Sequence, residues 1–155
     1  MANVYGTAWL TTAHSKVKAL MDALVTSMAT GYDPTILAVY ERHNTVVVQI
    51  PAVSVELESV EPSDEGWSND TKLRYHIVLS LRVHTAYEGA VRDGLTISRL
   101  LNSVTNKIKN NLDLGDGYRV WSVSDINAEG VFPESGTVGG QLTVEVITDI
   151  VHTQE

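Results

Sequence analysis

The side chains best suited to acid–base or metal chemistry are five histidines, and their spacing keeps them apart. No two of them stand four residues apart, the spacing that puts two metal ligands on one face of a helix. His76 and His84 fall on one face of a predicted strand, but they are eight positions apart, which corresponds to about 26 Å. We therefore predict no metal site within one subunit.

Two acidic pairs are the other candidates for cation binding. Glu56 and Glu58 alternate along a predicted strand and so share one face, but a cation would need a third ligand. Asp64 and Glu65 lie in a loop that offers only oxygen ligands, without the spacing of an EF-hand. A solvated acidic surface is the simpler interpretation of both pairs.

Enzyme signatures are absent from the sequence. It contains no GxxxxGK[ST], GxGxxG, HExxH or GxSxG motif, and no cysteine for a thiolate nucleophile or a disulfide. Gly115 and Gly117 flank Asp116 after a predicted helix, whereas a phosphate-binding loop precedes its helix. We expect a protein that is not an enzyme and that has no cofactor.

Two amphipathic helices are predicted. Thr12 or Ser15 caps the first helix, and Gly31 ends it. The second runs from Leu95, behind a capping-box match that starts at Thr85, to the turn at 115–117. Apolar residues recur with the helical period at Val17, Leu20, Met21, Leu24, Val25 and Met28 in the first helix, and at Ile97, Leu101, Val104, Ile108 and Leu112 in the second.

Strands are predicted from period-two alternation of apolar and polar residues. The alternation is clearest over residues 72–84, where one row is apolar and the other is unusually basic. Further strands are indicated at 36–40, 45–50, 53–58, 118–123 and 142–151. An acidic loop at 61–71 and a long glycine-rich connection at 125–140 separate them.

This order of elements predicts one α+β domain over residues 1–155, in which two helices cover an antiparallel or mixed sheet. A hydrophobic fraction of 43% is typical of a globular chain. No apolar run approaches the roughly eighteen residues of a membrane span, and the first residues lack the basic and apolar regions of a signal peptide.

Charge is segregated along the chain, whose net charge is −8. Residues 56–71 contain six acids and no base, residues 72–109 have five more bases than acids, and residues 110–155 have eight acids against one base. These segments can meet within one subunit or between neighbouring subunits, and Arg74 and Arg82 are candidates for the second arrangement. The acidic total disfavours general binding of nucleic acid.

Two aromatic side chains stand in the polar connections. Trp67 lies in the acidic loop, and Phe132, the only phenylalanine, lies in the glycine-rich connection. Such a residue either packs on its own core or anchors a partner. Both alternatives stay open for Trp67, and we predict a partner contact for Phe132.

Five segments carry a resemblance to a known family. They are HSKVKALMDALVTSM, PAVSVELESVEPSDE, TKLRYHIVLSLRVHTAYEG, SRLLNSVTNKIKNNL and GGQLTVEVITDIVHT. In their order, size and acidic balance they resemble the tail terminator (tail completion) proteins of long-tailed bacteriophages. The resemblance covers most of the chain.

The resemblance implies a virion protein, assembled in the host cytoplasm, that forms a hexameric ring. Such a ring caps the tail tube, stops its polymerisation and meets the head or neck proteins, and DNA passes through its lumen without specific binding. No membrane is involved. Glu56, Glu58, Asp64 and Glu65 are candidates for an acidic lumen or a charge-complementary surface, because carboxylates repel phosphate.

Three other functions fit the same order of elements. One is a head–tail connector or neck protein, and another is a small α+β domain with a ligand between sheet and helices. The third is an enzyme completed at a subunit interface, with His76 or His84 beside Glu56 of a neighbour.

Overall fold

Two helices and one mixed sheet make up the part of the chain that the computed structural model describes, residues 2–4, 8–28, 36–43, 47, 49–63, 72–86 and 94–152. This confirms the predicted single α+β domain. The elements in chain order are β1 (Ala2–Val4), α1 (Ala8–Met28), β2 (Ala38–Tyr40), β3 (Ala52–Ser63), β4 (Lys72–Ala86), α2 (Gly94–Lys109), β5 (Asp113–Gly115), β6 (Tyr118–Phe132) and β7 (Thr137–His152).

The central strand of the sheet is β7. Along one edge it pairs antiparallel with the whole of β4, from Lys72 opposite Val151 to Ala86 opposite Thr137. Its other edge pairs antiparallel with β6 and, near the chain terminus, parallel with β1. The order across the sheet is β2-β3-β4-β7-β6-β5, and β2 runs parallel to β3. The two parallel pairs make the sheet mixed.

Both helices bury their apolar stripes against one face of the sheet, which we call the inner face. Burial of an aliphatic side chain contributes about 1.5–3 kcal/mol, so this layer supplies the main driving force for folding. The core joins Val17, Met21 and Leu24 of α1 and Ile97, Val104 and Ile108 of α2 to the strand residues Val53, Val55, Ile77, Leu79, Leu81, Val120, Leu142, Val144 and Val146.

The glycine-rich segment 125–140 is a hairpin, so its prediction as a long connection is wrong. β6 continues to Phe132, and β7 begins at Thr137 after a short turn. The amides of Ser135 and Gly136 close that turn, donating to the carbonyls of Phe132 and Pro133 at 3.1 Å each. Glycine serves close approach here, because a Cβ on Gly139 would stand 1.7 Å from the Val83 carbonyl oxygen.

Three predicted helix signals are also wrong. α1 begins at Ala8, so Thr12 and Ser15 lie inside the helix. α2 ends at Lys109, and Leu112 beyond it is exposed, with its carbonyl accepting the Val120 amide at 2.8 Å. Thr85 belongs to β4, where its hydroxyl donates to the Val138 carbonyl at 2.9 Å instead of capping a helix.

Other predicted boundaries shift by a few residues or are not described. β3 extends to Ser63, three residues into the predicted acidic loop, and the remainder of that loop lies outside the described residues. Within the predicted strand 45–50, Val47, Gln49 and Ile50 are not in a strand, and the other positions are not described. Gly31, the predicted end of α1, also lies outside the described ranges.

The substitution Gly139→Ala tests the close approach of β7 to β4. We expect the new methyl group to push the two strands apart and to lower the free energy of unfolding by about 3 kcal/mol or more. Gly136→Ala is the matched control. Its Cβ would meet open space, and only the φ of 66° opposes it, at a cost of about 1 kcal/mol. Urea denaturation measures both losses, and equal losses would contradict this register.

Candidate functional site

The face of the sheet turned away from the helices, which we call the outer face, has two differently built ends. At one end, which we call the open end, Arg74, His76, Trp121, Glu145 and Asp149 are half-buried or exposed. At the other, the closed end, a cluster of polar residues and one aromatic residue is buried: His43, Ser54, His84, Phe132, Ser135 and Thr137. Both ends follow from the alternation of β4 and β7, which sends their polar rows outward.

The charges of the open end are paired across β4 and β7. Arg74 donates from Nε to Oδ1 of Asp149 at 2.8 Å and from Nη2 to Oδ2 at 3.2 Å. His76 Nδ1 contacts Oε1 of Glu145, whose Oε2 also accepts the Ser122 hydroxyl at 3.3 Å. Partly exposed pairs of this kind contribute about 0–1 kcal/mol, so they fix side-chain orientation more than they stabilise the fold.

Trp121 is the exposed aromatic residue of the open end, with 55% of its surface accessible. A bulge places it there: Val120 pairs with Val146 and Ser122 with the adjacent Glu145, so Trp121 has no pairing partner on β7. Its ring meets the His76 ring edge-on, with 5.9 Å between centroids. A large aromatic held in place on a polar surface is the usual form of a binding anchor.

A chain of three short hydrogen bonds runs through the closed end. Ser54 Oγ lies 2.7 Å from His43 Nδ1 and 2.6 Å from His84 Nε2. His84 Nδ1 in turn lies 2.6 Å from the Thr137 hydroxyl. The chain links the segment before β3 to β3, β4 and β7, so four separate parts of the sequence meet in it.

Both histidines of this chain are held in the neutral form. Burial, followed by the nearby Arg82 guanidinium, lowers the pKa of His84 from 6.5 to about 4. Burial, then Arg82 and then His84, lowers the pKa of His43 to about 3. Each ring is therefore uncharged at neutral pH, and the cluster acts as a hydrogen-bonded core.

Arg82 covers this cluster from the solvent side. Its guanidinium carbon stands 4.5 Å from the centre of the Phe132 ring, and Nη1 donates to Glu134 Oε1 at 2.7 Å. Hydrogen bonds from its own backbone amide and from Arg82 hold the pKa of Glu134 below its usual value. The ion pair thus fastens the β6–β7 turn over the buried residues.

The structure corrects the predicted partner contact of Phe132. Only 3% of this residue is exposed, and its ring packs edge-on against His84 at 5.2 Å. It is a core residue of its own chain. Arg74 and Arg82, predicted for a subunit contact, are both paired with carboxylates of the same chain, which is the first of the two arrangements that the charge pattern left open.

The predicted acidic residues fall at separate places. Glu56 is half-buried, and Oε1 accepts the backbone amide of His43 at 3.4 Å. Glu58 is exposed at a bulge between Leu57 and Ser59, where the strict alternation that would join it to Glu56 ends. Asp64, Glu65 and Trp67 lie outside the described residues.

The outer face also shows where the two histidines of β4 lie. His76 and His84 do share the outer row of β4, but His76 belongs to the open end and His84 is fully buried. A neighbouring subunit therefore has no access to His84 in this conformation. Over the described ranges no three histidine or carboxylate side chains converge as a metal site would need.

Comparisons with known proteins add no family to this geometry, because neither the protein-family models nor the curated proteins that were searched give a match. Neither α1 nor α2 combines the length and apolar composition of a membrane-spanning helix. The side chains of the outer face therefore carry the functional interpretation.

Paired substitutions separate the core aromatic residue from the surface aromatic residue. Phe132→Ala should lower the free energy of unfolding by about 3–5 kcal/mol, because it empties a buried site. Trp121→Ala removes an exposed ring with one edge contact and should cost about 1 kcal/mol or less. Chemical denaturation of the two variants measures this difference. A larger loss of unfolding free energy for Trp121→Ala than for Phe132→Ala would contradict the assignment of Phe132 to the core and Trp121 to the surface.

Proposed function

We propose that this chain is a structural assembly subunit, and specifically a tail terminator of a long-tailed bacteriophage that forms a ring on the tail tube. The observation that carries the proposal is the exposed Trp121 on the outer face, beside the Arg74–Asp149 ion pair and the His76–Glu145 contact, whose polar groups have their partners within the chain. An exposed aromatic surrounded by satisfied polar groups is how assembly interfaces are built.

The pairing of the charges matters for assembly. A neighbour that covers the open end buries the Arg74 guanidinium together with the Asp149 carboxylate, and the Glu145 carboxylate together with the His76 ring and the Ser122 hydroxyl that it contacts. Leaving one charge unpaired in an interface would cost several kcal/mol. The open end therefore suits contact with another protein surface, because its polar groups already have partners within the chain.

The exposed edges of the sheet affect how two copies of this chain can pair. Exposed β-edges tend to pair with other chains unless bulges, proline or charge interrupt them. β3 carries a bulge at Glu58 and Pro62 beyond it, and β6 departs from regular pairing with β7 at three places. These irregularities disfavour edge-to-edge pairing, and they favour a contact through the outer face.

A ring requires a head-to-tail contact between two different patches, one of which we assign to the open end. Its lumen would be lined by acidic side chains such as Glu58, which would repel passing DNA. Through its two rims the ring would stop growth of the tail tube and meet the head or neck proteins. A head–tail connector would use the same surface, and the position of the ring in the particle distinguishes the two.

Ligand binding is the second candidate, favoured by an open groove of about 510 Å³ between α1 and the residues after β2. Its lining carries both signs of charge, with Lys18 and Arg42 beside Asp22 and Glu41. A thermal shift of the monomer with a small anionic ligand would support this candidate.

The assembly proposal predicts that Trp121→Ala weakens self-association by tenfold or more while the melting temperature stays nearly unchanged, as expected for an interface anchor. Leu37→Ala is the matched control, since Leu37 is equally exposed, at 52%, but lies beside β2 at the far edge of the sheet. Native mass spectrometry over a concentration series measures the change. A chain that stays monomeric at every concentration, or loses association equally in both variants, would contradict the proposal.

A further inference from the structure

The closed end ties the β6–β7 turn to the sheet at several points. Thr137 bonds to His84, and Ser135 Oγ donates to the backbone carbonyl of His43 at 2.6 Å. Phe132 lies under Arg82 and beside His84. All these contacts are on the outer face, so the turn is held separately from the helix-covered core.

The number of hydrogens in this hydrogen-bond chain limits which of its groups can donate. The Ser54 hydroxyl has one hydrogen, so it donates to only one of the two ring nitrogens that flank it, and the other nitrogen donates to its oxygen. The nitrogen that accepts from Ser54 has no room for a proton of its own. A second proton on that nitrogen makes both flanking ring nitrogens donors, so the Ser54 hydroxyl must turn its hydrogen away from them and its donor bond within the hydrogen-bond chain is lost.

We propose that the closed end is an acid-released latch, in which protonation of His43 or His84 breaks the hydrogen-bond chain and frees the turn at 132–137 from the sheet. The latch opens locally, because the inner-face core of β7 does not depend on these bonds. Opening exposes Phe132 and hydrates both imidazoles.

The charged groups around the two rings favour the closed state at neutral pH. Arg82 of β4 faces both rings and repels a second cation. Glu134 of the turn opposes that effect, but it is engaged by Arg82. Glu56 of β3 accepts a hydrogen bond from the backbone amide of His43, so its carboxylate does not offset a positive charge on the His43 ring. The backbone of Ser80 offers the His43 ring a hydrogen bond that raises its pKa, but burial and Arg82 outweigh it and the pKa stays lowered.

The direction in which pH changes the stability of the closed state follows from the linkage between proton binding and opening. A histidine pKa that is lowered in the closed state means that the open state binds protons first, so the latch is closed above about pH 6.5 and weakens as the pH falls toward 4. At pH 5 the opening equilibrium should rise by about 30-fold for each histidine that becomes hydrated.

Hydrogen exchange read by mass spectrometry tests the latch in the unmodified chain at pH 7.5 and pH 5, after correction for intrinsic rates. We expect opening of segments 41–43 and 132–138 to increase by about 30-fold or more, while 142–150 of β7 stays protected. An equal increase in 142–150 would mean global unfolding and would overturn the latch, as would pH-independent exchange of the turn.

Substitutions identify the side chains that cause the pH dependence of opening. His84→Gln removes one titrating ring and should reduce the pH effect by about 30-fold, whereas His76→Gln, at the open end of β4, should leave it intact. Should His84→Gln fail to fold, Ser135→Ala serves instead: it removes one tie of the turn and should raise opening at both pH values with an unchanged ratio between them. A full pH effect in a folded His84→Gln and His43→Gln double variant would also overturn the proposal.

Discussion

The pairing of β7 along both of its edges is the constraint on which the rest of the structure depends. Its inward residues, such as Leu142, Val144 and Val146, are buried under the helices. Its outward residues Glu145 and Asp149 meet His76 and Arg74 of β4. A shift of one residue would turn the apolar row to solvent and the carboxylates into the core. One register therefore sets both the core and the charge pattern of the outer face.

The two ends of the outer face use polar residues in opposite ways. At the closed end, histidines and hydroxyls are removed from water and hydrogen-bond to one another, and burial keeps the rings neutral. At the open end, charges stay hydrated and paired, and Trp121 stands out among them. The first arrangement holds the β6–β7 turn to the sheet, and in the proposed function the second forms the surface that a neighbouring copy covers. This division is the basis of the proposed assembly function.

Local patterns predicted the two helices, the long strand β4 and the fold class, because each depends on periodicity along a single segment. The hairpin of β6 and β7 was missed, since Gly139 and Gly140 resemble loop residues until their close contacts with Val83 and Leu101 are seen. Trp121 was missed because its bulge is a property of the pairing with β7. The histidine chain joins residues 11, 30 and 53 positions apart, and no local pattern carries that information. The charge segments were predicted, but which of them pair within one chain required the register.

The most direct test of the central claim is the structure of the chain in its assembled state at side-chain resolution, by electron cryomicroscopy. Our account predicts a closed ring in which a neighbouring copy covers Trp121, with the Arg74–Asp149 and His76–Glu145 pairs intact beneath it. A particle in which this part of the outer face stays open to solvent, or in which a small ligand fills a cleft instead, would contradict the account.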